Sequence, residues 1–557
     1  MNKIQRLLCM GIMVVFAICL LLLPTPTYAH AFLQQSSPSD NEVLTKSPAQ
    51  VTLQFNESIQ PAFHSVQVIN SAGDRVDLDD VHIAEDRPSV LEVNVKPDLP
   101  DGNYVIVWKA VSGDGHPIEG TLQFQMGNNE SENPLPSTKT TSSYFPGLDL
   151  ITIRWLLYLS IAFFMGILSF YLFMYPANPK GNFLLPQRSR RLLWTSYFGI
   201  ALSILLSLPL QTTIDARIGW SKVWSTVWLG QMIHTSFGTV WMVQLVLIIL
   251  VGGTLIVVHR NHLSSRFRKN GAFVALLLGF GILLSKAFIG HAPTTEHQVI
   301  SILMDFVHLS AVSIWLGSLL ALAAILPGEA SLPTYRPDRK KVYFSVIRTF
   351  SRWGTILVAL LIVSGIYASF QHVPTVYALF HTLYGQILLM KSGLLLIMIG
   401  LAAFNLFRGK QMNKELNRSI WSELSVGVVV LVLSAVLSNI PTGLSSPGPI
   451  HQSHKLDNGY RISLGVSPNI TGNNTFEVNI HNAAGQEFTD VQQIKLTLTS
   501  LDMDMGKYEI IIPITPSTPL RKEDLISIAG RWNAQVHVLT HSLESWDTTF
   551  TFRVGTE

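Results

Sequence analysis

Met304-Asp305-Phe306-Val307-His308-Leu309-Ser310-Ala311-Val312-Ser313-Ile314-Trp315-Leu316-Gly317-Ser318-Leu319 lies inside an apolar run from Val299 to Leu326. A helix crosses a bilayer with roughly 20 predominantly apolar residues, so this run spans one with length to spare. Ionisable residues near the bilayer centre cost about 2.5–3.5 kcal/mol each on insertion scales and are retained for function. Helical spacing sets Met304 and Asp305 each within one turn of His308, on neighbouring strips of one face. Seven further runs read the same way: Leu150–Tyr175, Leu192–Gln211, Gly238–Val258, Gly271–Gly290, Trp353–Phe370, Tyr384–Phe407 and Trp421–Pro441. The centre of the chain is therefore an eight-helix transmembrane bundle, residues 148–441.

Charge orients it. Arg188/Arg190/Arg191, Arg260/Arg266/Arg268/Lys269, Arg336/Arg339/Lys340/Lys341 and Arg408/Lys410/Lys414/Arg418 fall in every second gap. Short basic loops mark the cytoplasmic side. Both polar ends of the chain then lie outside the plasma membrane, with the gaps carrying His234, His291, His297, His372 and His381. The 557 residues are 48% hydrophobic and 13% charged, which suits a membrane bundle with soluble appendages. The net charge of +3 is explained by the inner loops. No basic, aromatic-laced surface suggests a nucleic acid, and no Gly-x-x-x-x-Gly-Lys-Ser/Thr loop suggests a nucleotide.

The first 29 residues read as a secretory signal: Lys3 and Arg6, an apolar run from Leu7 to Leu23, then Thr27-Tyr28-Ala29. An uncleaved anchor would give nine spans and put one soluble end on the wrong side. Cleavage after Ala29 makes His30 the amino terminus and removes Cys9 and Cys19. The mature chain then has no thiol ligand, and soft-metal binding falls to His, Met, carboxylate or the free amine.

From Val51 to Met126 short alternating β-branched strands are separated by turns such as Asp101-Gly102, the pattern of a β-sandwich. The amine and imidazole of His30, with Asp114 and His116, form a tetragonal N/O set that suits Cu(II). Asp114 and His116 are two apart, so in extended chain they project to one side. His64 and His82 read as surface histidines. With His30-Ala31, the run Val111-Ser112-Gly113-Asp114-Gly115-His116-Pro117-Ile118-Glu119-Gly120-Thr121-Leu122-Gln123-Phe124 resembles the CopC copper-resistance family over residues 30–127. That resemblance implies a Cu(II) site of His30, Asp114 and His116. Some CopC proteins add a Met-rich Cu(I) site. Met126 alone does not supply one.

Residues 128–147 form a polar tether. Within the bundle, His291 and His308 are the expected receivers of an ion. Met304, with Met390 as a further candidate, would pass it on, and Asp305, Lys286 and Lys391 would balance charge. The competing reading is an Asp–Lys pair that only holds helices together. Gly290-His291-Ala292, the run from His308 to Leu319, Arg348-Thr349-Phe350-Ser351-Arg352-Trp353 and Tyr384 to Lys391 resemble the CopD family of copper-transport membrane domains.

After a linker at 442–459, alternation resumes and predicts a second β-sandwich over 460–557. Met503 and Met505 alternate onto one face, and thioethers suit Cu(I). His537 and His541 are possible contributors. This region resembles the YtkA-like domain through the Met run and Gly530-Arg531-Trp532. The resulting expectation is a membrane transport protein, not an enzyme. It would capture Cu(II) outside and move copper across the plasma membrane, its partners being copper ions, the lipid bilayer and another extracytoplasmic copper chaperone. The alternatives are a histidine-brace copper oxygenase and a haem-type electron-transfer bundle.

Overall fold

The computed structural model describes residues 33–40, 42–55, 59, 63–111, 117–127, 147–175, 183, 185–216, 218–260, 262–289, 298–326, 339–411, 417–501, 507–514, 520–526 and 528–555.

The first soluble region is a sandwich of two four-stranded sheets. One has the order β1 (Leu33–Ser37), β3 (Gln50–Phe55), β6 (Arg87–Asn94), β5 (His82–Ala84). The other has β2 (Glu42–Leu44), β8 (Pro117–Met126), β7 (Gly102–Val111), β4 (Ser65–Asn70), with β2 and β8 parallel. The period-2 alternation of Val51, Leu53 and Phe55 puts all three in the core, while Gln50, Thr52 and Gln54 stay partly exposed. Phe55 meets Trp108 edge-on with ring centroids 5.3 Å apart, and Tyr104 stacks on Phe124 at 5.1 Å. Gly120 pairs with Trp108 across β7 and β8, and a Cβ there would stand 2.6 Å from the indole. The ring occupies the space a side chain would need.

The bundle comprises α1 (Leu148–Ser169), α2 (Gln187–Asp215), α3 (Thr226–Ile233), α4 (Ser236–His259), α5 (Ser265–Ala287), α6 (Gln298–Leu320), α7 (Arg339–His372), α8 (Val376–His381), α9 (Leu383–Gln411) and α10 (Asn417–Leu437). Eight of these are long and apolar enough to cross a membrane, in register with the eight runs read from sequence. α1 and α6 each continue into one π-helical turn, Phe170–Met174 and Ala321–Ile325. α3 and α8 are short, are capped by the Ser225 and Thr375 hydroxyls, and fall in two of the histidine-bearing gaps. Small residues let helices approach closely where lipid supplies no hydrophobic drive. The closest crossing uses Gly166 and Gly317: a Cβ on Gly317 would lie 1.9 Å from the Ala162 carbonyl oxygen.

The last region is a second sandwich, with sheets β14-β11-β10-β9 and β13-β12-β15-β16. Its strands are β9 (Ile450–Lys455), β10 (Arg461–Ser467), β11 (Gly472–His481), β12 (Val491–Ser500), β13 (Lys507–Ile512), β14 (Leu520–Ile526), β15 (Gly530–Thr540) and β16 (Ser545–Val554). Perfect alternation in β16 buries Trp546, Thr548, Phe550, Phe552 and Val554 on one face. β9 and β14 have no counterpart in the sequence reading, and β9 lies in the stretch taken as a linker. His451 and His454 are on that strand, and His454 Nδ1 lies 3.1 Å from the Thr548 hydroxyl.

Candidate functional site

His30, Asp114, His116, His291, Met503 and Met505 lie outside the described residues. The strands that lead to the first three are described, and their register is informative. Leu33 pairs with Phe55, whose ring touches Trp108 near the end of β7. At the other end of β1 the Asp40 carboxylate accepts from the Gln123 backbone N–H at 3.0 Å, level with Val105. Running back along β1 toward Leu33 therefore follows β7 forward toward Val111. The chain enters β1 at the end of the sandwich where the Val111↔Pro117 pair closes the β7–β8 hairpin. His82 is exposed as expected and lies 2.9 Å from the Asp80 carbonyl oxygen. Hydrogen bonds from the Asn94 side chain and backbone hold the Asp80 carboxylate below the usual range.

In the bundle, Met304, Asp305 and His308 share α6 and are each partly buried. His308 Nδ1 is 2.9 Å from the Ser364 hydroxyl on α7. That hydroxyl has one proton, given to the Leu360 carbonyl at 2.6 Å. The Leu361 carbonyl is a second acceptor for it at 3.3 Å. In the tautomer in which that proton stays with a carbonyl, Nδ1 donates to Oγ and Nε2 presents a lone pair, as a metal-ligating imidazole needs. Asp305 makes no hydrogen bond or ion pair among the described residues, yet Lys286 of α5 and Lys391 of α9 are near enough to act on its charge. A closed Asp–Lys pair is thus not what the helices form. Met390, by contrast, is 57% exposed. Among the described residues no three His, Cys, Asp or Glu side chains converge as a complete metal cage.

Hydropathy reading missed several polar residues. Arg154 of α1 donates to the Ser438 carbonyl at 3.0 Å, beside the Tyr158–Ser438 hydroxyl pair. With Lys286, Gln211, Gln244, Ser203 and Ser207 it lines a cavity of about 40 Å³, room for a water or two. Arg154 interrupts an apolar run in the sequence, and that interruption was the available signal. In the last sandwich, His537 faces Asp547 at 3.1 Å and His541 faces Asp490 at 3.1 Å. His537 pairs with Lys495, whereas Ser500, next to the Met run, pairs with Trp532. Five ladder steps, roughly 17 Å, separate His537 from Ser500 along the strand.

Comparison with known proteins places these parts. Family models match residues 33–127 as a CopC domain, 147–299 as a copper resistance protein D-like N-terminal domain and 344–437 as copper resistance protein D. The copper transport protein CutJ of Bacillus subtilis (strain 168) is 34% identical over 546 residues, covering 97% of this chain and 98% of that protein. Copper resistance protein D of Pseudomonas syringae pv. tomato is 25% identical over 313 residues, covering 52% of this chain and 96% of that one. The crystal structure of CopC from Methylosinus trichosporium OB3b is 33% identical, covers 17% of this chain and 93% of that one, and has a TM-score of 0.17.

Proposed function

This chain belongs to the family of CopC–CopD copper-transport fusions, and from that premise we propose that it captures Cu(II) outside the cell and carries copper inward across the plasma membrane. It is a multi-pass membrane protein of copper handling. One observation supports the finer reading above the others: His308, on a membrane-spanning helix, has its Nδ1 against the Ser364 hydroxyl, an arrangement that leaves Nε2 to serve as a ligand when Nδ1 donates.

Copper enters this scheme as cargo. His30, through amine and imidazole, joins Asp114 and His116 to take up Cu(II). The convergence of the β1 entrance and the β7–β8 hairpin at one end of the sandwich supports that set. His291 and His308 then receive the ion, and Met304 offers a thioether to its reduced form. Asp305 supplies negative charge, with Lys286 and Lys391 setting the local balance. Met503 and Met505 are the proposed Cu(I) position of the YtkA-like part. The alternating loop charges support both sandwiches lying outside, where a copper chaperone could deliver to them.

Copper flux into liposomes holding the purified chain tests this. His308→Ala and Asp305→Asn are each expected to lower flux at least about tenfold at unchanged membrane abundance. Unchanged flux in both sinks the path. One extra residue before His30 is expected to weaken Cu(II) binding by orders of magnitude, because the α-amine becomes an amide. Equal affinity would remove the amine from the ligand set.

A further inference from the structure

A buried carboxyl at the far end of α10 plays no part in the scheme above. Glu423 is 1% exposed and Asn405 of α9 is 9% exposed. Asn405 Nδ2 donates to Glu423 Oε2 at 3.0 Å. The other two oxygens of the pair, Glu423 Oε1 and Asn405 Oδ1, are out of solvent and have no partner among the described residues. Two orphan acceptors in one buried pair are costly. One hydrogen removes both defects: a neutral carboxylic acid whose Oε1–H donates to Oδ1 closes a two-bond ring with the amide.

Among the described residues no ion pair to Glu423 forms, and Arg418, earlier on the same helix, is exposed to solvent. Asn405 is the one polar group among the described residues that acts on Glu423. α10 packs on α1 and α6. The ionisable side chains of those helices nearest this end are Tyr171 and Tyr175, whereas Asp149, Arg154, Asp305 and His308 lie toward the other. Arg154 bonds Ser438, fifteen residues and about 22 Å along α10 from Glu423. On α9, Lys391 lies fourteen residues from Asn405. The basic loop that begins at Arg408 leads directly into α10.

We propose that Glu423 is a proton-carrying acid that couples copper movement to proton release at the basic-loop end of the bundle. This rests on the transport reading for its coupling, but not for its proton. The ring holds Glu423 as the acid. When a copper ion comes within reach, the O–H bond breaks, its electron pair stays on Oε1, and the proton passes to water at that end. The carboxylate then balances the ion's charge. Reprotonation closes the ring and releases the ion.

Infrared spectra of the full chain in liposomes test the proton, and copper flux under an imposed pH gradient tests the coupling. At pH 7 a protonated-carboxyl C=O band is expected in the wild type and absent in Glu423→Gln, which copies the ring with an amide. Wild-type flux is expected to change by up to about tenfold per pH unit, the limit for one required proton, and Glu423→Gln flux to be flat with pH. Absence of the band in wild type overturns the proposal, as does equal pH dependence in the variant. If Glu423→Gln does not accumulate, Asn405→Ala must shift the band, and an unshifted band overturns the ring. A wild-type chain that shows the band but moves no copper sinks the transport reading, and the coupling with it, while the acid stands.

Discussion

The two sides of the bundle are built differently. Of the most apolar 18 residues of α1 and of α5, 61% are buried, against 22% in α7 and 11% in α9. Glycines follow the same division. Gly166 and Gly317 stand where any side chain would strike backbone, while Gly393 and Gly400 of α9 have nothing within 4 Å of a Cβ. Phe370 of α7 is 80% exposed and Leu396 of α9 is 69% exposed, surfaces for lipid. What ties the outer helices is polar: His308 to Ser364, Ser301 to Tyr367 at 3.0 Å, Asn405 to Glu423. The packed side fixes where α6 holds its Asp and His, and the loose side meets α6 through hydrogen bonds to His308 and Ser301. The candidate polar groups of α6 thus sit at the seam where packing gives way to bonding.

The sharpest way to break this contrast is at Gly317. Gly317→Val forces two methyl groups against the Ala162 carbonyl, where only backbone can yield. A cost of about 3 kcal/mol or more is expected, read as loss of folded protein in the membrane fraction. Normal abundance would show that the α1–α6 contact is not the scaffold. Ser364→Ala probes the seam. It removes the partner of His308 Nδ1, one hydroxyl worth about 0.6 kcal/mol between membrane helices. A fall in copper flux of about tenfold with little change in thermal stability is expected, and the reverse result would make the bond merely structural. Gly393→Ala, in the open part of α9, should be nearly silent. At most it gains about 1 kcal/mol from helix propensity, and a strong loss there would mean that α9 is covered by something other than lipid.

The sequence made the spans legible because hydropathy integrates over twenty residues, and the error is confined to the ends. α7 starts at Arg339, fourteen residues before the Trp353 expected from its apolar part, since a helix continues into water where hydropathy falls silent. α2 runs through Pro209 to Asp215, whose carboxylate accepts from Gln211 one turn back. In the last sandwich the strands missed are both edges. Ile450–Lys455 reads Ile-His-Gln-Ser-His-Lys, and Leu520–Ile526 carries four successive charged residues from Arg521 to Asp524. Charged edges are how sheets avoid pairing with other chains, and the same charges hide them from an alternation test.

The candidate site was legible in its residue types rather than its connections. Asp305, His308, Lys286 and Lys391 stand out because each interrupts apolar sequence. Nothing in one dimension says that Ser364, 56 residues on, bonds the Nδ1 of His308. Arg154 and Glu423 interrupt apolar sequence in the same way, so a signal for them was present too. Their meaning comes from pairings, with Ser438 and Asn405, that only the folded chain supplies.

One feature of the fold recurs in both helices of the scaffold. The π-helical turns begin at Phe170 and Ala321, each four residues after the contact glycine of its own helix, Gly166 and Gly317. A π turn accommodates one residue more than an α turn, and each helical residue advances the chain by about 100° around the axis. A single inserted residue in each helix therefore re-aims the segment that follows, while the crossing one turn earlier keeps its geometry. The exits of α1 and α6 can be steered without disturbing the joint between them.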